Sequence, residues 1–390
     1  MTKLFSYSLR SLWVRRTTTL ATALGIALVV FVLSASRMLS WGMRQTMQSA
    51  GTADQALIMQ HDAWAEAASR MDQSVLGQVS AAPGVKRNAQ GQALVTGEAV
   101  AHLLVASTQG KNRISTLQVR GVSENVFELR PEARVVDGRA LKPGTDEAIV
   151  GKGIVGRFEG LHMGDRFELS AARKVTIVGV FESAGSAYES EIWTDLETAR
   201  TAFALSNSLS SVTAQLESEG VFDTFAEPLT RDKQTGLSVT RESAYYEKVS
   251  DGISGVINLL GIIESLIFSI GAMLGAMITM YASVAQRTKE IGVLLALGFG
   301  RRHIVSAFMV ESTALAFAGA LGGLALALLT PLLDFSTMNF ATGQEVNFRF
   351  LPNAEILLVS VLAGTLVGAL GGLLPAVRAA RVSPAEAMRG

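Results

Sequence analysis

The 390-residue sequence contains no cysteine, which removes disulfide frameworks, thiolate zinc sites, iron–sulfur clusters and cysteine nucleophiles together. Charge is scarce as well. Asp, Glu, Lys and Arg make up 17% of the chain against 49% hydrophobic residues, and 34 basic side chains are balanced by 34 acidic ones. There is thus no basic field to hold nucleic acid and no acidic tail. The sequence has no G-x-x-x-x-G-K-[ST] segment, hence no Walker-type ATP site of its own, and no G-x-S-x-G elbow. His61, His102, His162 and His303 lack metal-ligand spacing. Gly151-Lys152-Gly153-Ile154-Val155-Gly156 matches G-x-G-x-x-G, but only a short helix is expected after it and Glu168 comes too early to be a ribose partner. The chain is therefore expected to hold no catalytic residue, cofactor or metal.

What remains is a set of long apolar runs. A helix rising about 1.5 Å per residue crosses a hydrocarbon core of about 30 Å in roughly 20 residues. Residues 18–36, 265–284, 304–333 and 356–374 have that length and composition, and spans are assigned at 18–40, 251–286, 304–333 and 354–375. The first is too long for a secretory signal, whose apolar region runs about 7–15 residues. Lys3, Arg10, Arg15 and Arg16 precede the first span, Arg287, Lys289, Arg301 and Arg302 separate the second from the third, and Arg378, Arg381 and Arg389 follow the fourth. Short-loop basic residues mark the cytoplasmic side. Both termini (1–17 and 376–390) and the segment 287–303 are therefore expected in the cytoplasm, with 41–250 and the loop 334–353 outside.

Residues 41–250 have the composition of a folded domain. Period-2 apolar patterns predict strands over 56–59, 93–106, 114–122, 148–150 and 174–181, and helices are expected over 63–79 and 196–204, the latter capped by Thr194 or Asp195. The fold class is an α-helical membrane protein with four transmembrane helices and a large extracytoplasmic α+β domain inserted between helices 1 and 2. Residues 241–286 contain no proline and read as one helix of about 70 Å, longer than the membrane is thick. Its first part, mirrored by residues 41–48, would form a stalk.

Gly271 with Gly275, Gly319 with Gly323, Gly364 with Gly368 and Gly368 with Gly372 have helix-packing spacing. They either pack the four helices of this chain or, on the second span at Gly271 and Gly275, join it to another permease. Glu264 and Glu311 are the acids well inside the spans; they serve proton coupling or mark the ends of the spans.

The segment from Gln286 to Ile304 joins basic flanks to an apolar helical core at Ile291, Leu294, Leu295 and Leu297, with exits at Gly298 and Gly300. Such a helix docks in a partner or lies in the lipid interface. Arg287, Glu290, Ile291, Gly292, Ala296, Leu297 and Gly298, followed by Arg301 and Arg302, spell R-x-x-E-I-G-x-x-x-A-L-G before a basic pair. This run resembles the coupling helix of FtsX-like and MacB-like ABC transporter permeases. Residues 8–16 resemble the amphipathic N-terminal helix of that family. Residues 146–153, 161–165 and 175–181 resemble its external core domain, and 374–388 its usual ending.

The resemblance implies a bacterial inner-membrane permease subunit. Its ATP and magnesium would be bound by an ABC ATPase on a separate chain, Glu290 and the Leu294 face seating in that ATPase while the arginines hold the helix against acidic groups or lipid phosphates. It also implies a second permease copy or paralogue and a periplasmic adaptor or lipoprotein. ATP-driven motion would pass through the stalks to export or extract a hydrophobic or amphipathic substrate such as a peptide, antibiotic, lipid or lipoprotein. A non-transporting subunit that activates a cell-wall hydrolase is the alternative.

Overall fold

The computed structural model describes residues 16–108, 114–231, 236–332, 335–338 and 345–382. The helix expected over residues 1–17 therefore lies almost wholly outside the described residues, as does the tail beyond 382. In chain order the elements are α1 (Arg16–Gln48), β1 (Gln55–Gln60), β2 (Met71–Asp72), α2 (Ser74–Ala81), β3 (Val95–Ala106), β4 (Ile114–Val122), α3 (Val126–Leu129), β5 (Ala133–Gly138), β6 (Glu147–Gly151), β7 (Arg166–Ser170) and β8 (Arg173–Ser183). There follow β9 (Glu191–Asp195), α4 (Leu196–Ala202), β10 (Ser208–Leu209), β11 (Ser211–Gln215), α5 (Phe222–Arg231), β12 (Leu237–Arg241), α6 (Glu242–Gln286), α7 (Thr288–Ala296), α8 (Arg301–Ala327), β13 (Phe335–Met338), β14 (Glu345–Phe348) and α9 (Ala354–Ala379). They form two compact units: a helical unit (Met1–Trp41, Gly255–Leu333 and Phe350–Gly390) and an inserted unit (Gly42–Ser254 and Asp334–Arg349).

The inserted unit is built on one ten-stranded sheet in the order β12-β1-β11-β3-β4-β9-β6-β8-β5, with β7 paired to β8. Strand β8 shows why these residues make strands: Val175, Ile177 and Phe181 alternate inward with half-buried neighbours, the two-residue period of a pleated face. The sheet carries two cores. Ile58, Val79, Val212 and Phe225 centre one, and Val119, Val150, Phe158 and Ile192 the other. Helix α4 starts where expected because the Asp195 carboxylate accepts hydrogen bonds from the Glu197 and Thr198 amides at 3.1 and 3.3 Å.

Three segments differ from the sequence expectation. Residues 63–79 are not one helix but a 3-10 turn (Glu66–Ala68), strand β2 and helix α2. Polar side chains break the run: the Ser69 hydroxyl accepts from the Gln60 amide, and Asp72 accepts from the Ser74 amide. The G-x-G-x-x-G stretch ends β6 in turns and opens no helix; a side chain at Gly151 would strike the Glu189 carbonyl, so its glycine serves packing. The segment 334–353 is not a plain loop. Its described residues form the hairpin β13–β14, which belongs to the inserted unit. Val346 and Phe348 are fully buried there, Arg157 Nη2 donates to Glu345 Oε1 at 2.8 Å, and the Asn347 amide donates to the Ser190 hydroxyl at 3.1 Å.

Among the described residues four helices are long and apolar enough to cross a membrane: Thr19–Gln48, Glu242–Gln286, Arg301–Leu332 and Ala354–Ala379. In the helical unit a side chain at Gly319 or Gly323 would collide with the backbone of Ala23 or Ala27, and one at Gly364 or Gly368 with Val30 or Ala316. Glycine lets these helix backbones touch. Helix α9 runs four residues beyond the expected end at Pro375, and Arg378 in its last turn lies 5.6 Å above the Tyr281 ring.

Candidate coupling site

The expected coupling segment 287–303 is three pieces rather than one helix. Arg287 is the residue preceding α7, the helix proper is Thr288–Ala296, and Arg301 and Arg302 already open α8. Gly298 is what stops α7. It takes φ +89°, a conformation a side chain disfavours. Around it the Gly298 amide donates to the Leu295 carbonyl and the Phe299 amide to the Leu294 carbonyl, both at 3.1 Å. This pair of bonds is a Schellman closure, which ends a helix and turns the chain sharply.

The turn settles which face of α7 is free. Ile291 is buried with Met280, Val284, Ile304, Phe308, Ala376 and Ala379, and Leu294 and Leu295 pack against that cluster. Gly292 is buried beside them. Leu294 therefore points inward, whereas the docking expectation placed it outward. The opposite face presents Glu290, Val293 and Leu297 at i, i+3 and i+7, with Val293 48% and Leu297 72% exposed. Lys289, Ala296, Gly298, Phe299, Arg301 and Arg302 surround them, all exposed.

Arg287 does not join that outward face. Its Nη1 donates to Glu311 Oε2 on α8 at 3.1 Å, its Nε to Glu290 Oε2 at 3.2 Å, and its guanidinium lies 5.4 Å from the Phe308 ring centre. Glu311 is buried and Arg287 half-buried, so this contact holds α7 to the third span as a partly buried ion pair. Sequence reading missed the pair because the partners are 24 positions apart; an arginine before a docking helix and an unexplained acid in the next span were the available signals.

Of the small-residue pairs, Gly271 and Gly275 stand apart. A side chain at either would meet nothing within 4 Å. Leu274 and Ile278 beside them are exposed, and the α6 span is the least enclosed of the four, 18% buried against 33–39%. Glu264 is exposed on the same helix.

Four membrane-length helices with a sheet domain inserted after the first define a multispan membrane protein with a built interspan helix. Residues 17–231 match the MacB-like periplasmic core domain and residues 262–384 the FtsX-like permease C-terminal domain. The chain belongs to this family of MacB-like and FtsX-like permeases. It is 32% identical to the macrolide export ATP-binding/permease protein MacB of Escherichia coli K12 over 142 residues, 36% of this chain and 20% of that protein. The same figures hold for MacB of Shigella flexneri. The aligned stretch thus spans about one fifth of these relatives. Among solved structures, the periplasmic region of MacB from Actinobacillus actinomycetemcomitans is 12% identical, with a TM-score of 0.37, over 51% of this chain and 93% of that one.

Proposed function

We propose that this chain is the permease subunit of an ATP-driven machine in a bacterial inner membrane, and that α7 receives the stroke of an ABC ATPase supplied by a partner. The observation that carries this reading is the two-faced geometry of α7: Ile291, Leu294 and Leu295 fasten it inward, while Val293 and Leu297 are exposed on the outer face beside Glu290, which is paired with Arg287. A short helix clamped to a span and bearing an exposed apolar stripe fits a groove on a partner. ATP and magnesium belong to that partner. The stroke would pass along α6, whose 45 residues make about 68 Å of helix, to an inserted unit lying outside the cytoplasm. The cargo would be amphipathic, as the macrolides named for the MacB relatives are, with peptides, lipids and lipoproteins as other members of the class. The free face at Gly271 and Gly275 would receive a second permease copy or a paralogue, and an adaptor or lipoprotein would complete the assembly.

Tagging the chain and extracting it from native membranes in mild detergent tests the proposal. An ABC ATPase should co-purify with the native protein and be lost from Leu297→Arg while membrane insertion persists. A membrane-fusion adaptor or lipoprotein alongside it favours transport, a cell-wall hydrolase or its activator favours signalling, and no ATPase under any extraction condition sinks the central claim.

A further inference from the structure

Six charged side chains are buried together in the inserted unit, and their charges do not cancel. Arg120 on β4 is the hub: Nε and Nη2 donate to Glu191 on β9 at 2.7 and 2.9 Å, Nη1 and Nη2 to Glu66 at 2.9 and 3.1 Å, and Nη1 also to Glu98 on β3. Arg130, just after α3, donates to Glu98 and, at 3.3 Å, to Glu242. All six are at most 6% exposed. Two guanidiniums therefore face four carboxylates, and a buried carboxylate without a compensating charge takes up a proton rather than stay ionised.

Geometry singles out which one. Glu98 touches both arginines. Glu66 has a two-pronged contact with Arg120 and accepts from the Ser211 hydroxyl at 2.7 Å. Glu191 accepts from Arg120, from Gln118 at 2.6 Å and from the Trp193 indole at 2.9 Å. Among the described residues Glu242 has only Arg130 at 3.3 Å and the Tyr188 hydroxyl at 3.1 Å, and its buried Oε2 has no hydrogen-bond partner there. Tyr188 itself accepts from the Tyr246 hydroxyl at 3.0 Å.

We propose that Glu242 is a proton-binding site, and that its neutral form holds the first turn of α6 in the inserted unit. Burial pushes its carboxyl up to about 7; Arg130 and the Tyr188 hydroxyl oppose the rise, while Glu98 and Glu66 add to it. Burial also raises Glu191, whereas Arg120 pulls Glu66 below the usual carboxylate range despite burial. Glu242 is the first residue of α6, and Gly51, three residues beyond α1, packs on its backbone so closely that a side chain there would lie 2.8 Å from the Glu242 carbonyl carbon. The proton thus sits where both long helices join this unit.

The sign follows from linkage. Unfolded, Glu242 would release its proton near 4.5; folded, near 7. The folded unit binds the extra proton between those values, so this stabilisation is complete at the lower pH and is lost as pH rises through about 7. Infrared spectra of the full chain in lipid nanodiscs, titrated from about pH 5 to 9, read the protonated carboxyl directly. The band should disappear with a midpoint near 7 in the native protein and be missing in Glu242→Gln; Tyr188→Phe, which removes a donor to the carboxylate, should move the midpoint up. Amide exchange over residues 243–250, relative to Glu242→Gln, should accelerate several-fold as pH passes that midpoint. A band titrating near 7 that persists in Glu242→Gln, no band titrating near 7 in the native protein, or a flat exchange ratio would each overturn the proposal. The native titration decides even where a variant does not fold.

Discussion

Arg287 Nη1 lies 3.1 Å from Glu311 Oε2, and this contact joins the residue before α7 to the middle of α8. The Schellman turn at Gly298 joins the other end of α7 to the start of the same helix. The nine-residue helix is therefore fastened to the third span at both ends; under the proposed function, a displacement imposed on its outer face would be delivered to α8 rather than dissipated in a loop.

Breaking that fastening should be costly from either side. Removing one partner of a largely buried pair takes a compensating charge from the other, at up to about 3–5 kcal/mol. Glu311→Ala and Arg287→Ala should each lower unfolding stability by roughly that amount in detergent, and the double replacement Arg287→Met with Glu311→Leu should recover most of the loss. A double variant no better than the singles would mean that the two side chains are not energetically paired.

The two faces of α7 should respond differently to substitution. Ile291→Ala empties a buried position and should cost about 2–5 kcal/mol of stability. Val293→Arg and Leu297→Arg alter exposed positions and should stay within about 0.5 kcal/mol, yet weaken ATPase binding by about 30-fold or more if they anchor the interface. Thermal unfolding and a binding titration with the purified ATPase separate the two effects. Equal binding by all three variants would remove α7 as the docking element.

The contrast also marks what the sequence made legible. Spans, the strand at 114–122, the alternating strand β8, the Asp195 cap and the unbroken helix α6 could be read because each rests on local period or chemistry. The inward set of α7 could not. A helix this short with Ile291, Val293, Leu294, Leu295 and Leu297 is apolar on nearly every side, and only Gly298 and the packing of Ile304 and Phe308 choose the face. The same holds for Glu66, whose burial against Arg120 depends on a partner 54 positions away. Val346 and Phe348 carried a strand-like alternation, but nothing local told that the hairpin belongs to the inserted unit.

The glycine pairs predict a separation of folding from self-association. Gly319→Leu and Gly323→Leu should disrupt the helical unit itself, because α1 backbone occupies the space. At Gly271 and Gly275 a Cβ has no atom of the described residues within 4 Å, so Gly271→Leu and Gly275→Leu should leave monomer stability within about 0.5 kcal/mol while reducing dimer yield in lipid. Light scattering of detergent-purified protein and cross-linking in native membranes check both halves. A dimer indifferent to Gly271→Leu would move the contact to another surface.

Orientation across the membrane rests on the basic residues flanking the spans, and the absence of cysteine makes it directly measurable, since one introduced thiol is the only thiol in the chain. The position must be exposed: Ser186 lies between turns of a Ser- and Gly-containing segment but is only 2% exposed, whereas Gln90 in the inserted unit and Lys289 on α7 face outward. Both side chains are exposed: Gln90 sits in a turn, and Lys289 stands beside Glu290 on the outer face of α7. In intact cells an impermeant maleimide should label Gln90→Cys at once and Lys289→Cys only after the membrane is opened. The reverse pattern would place α7 outside the cytoplasm, out of reach of any ATPase, and would end the coupling reading whatever the helix packing shows.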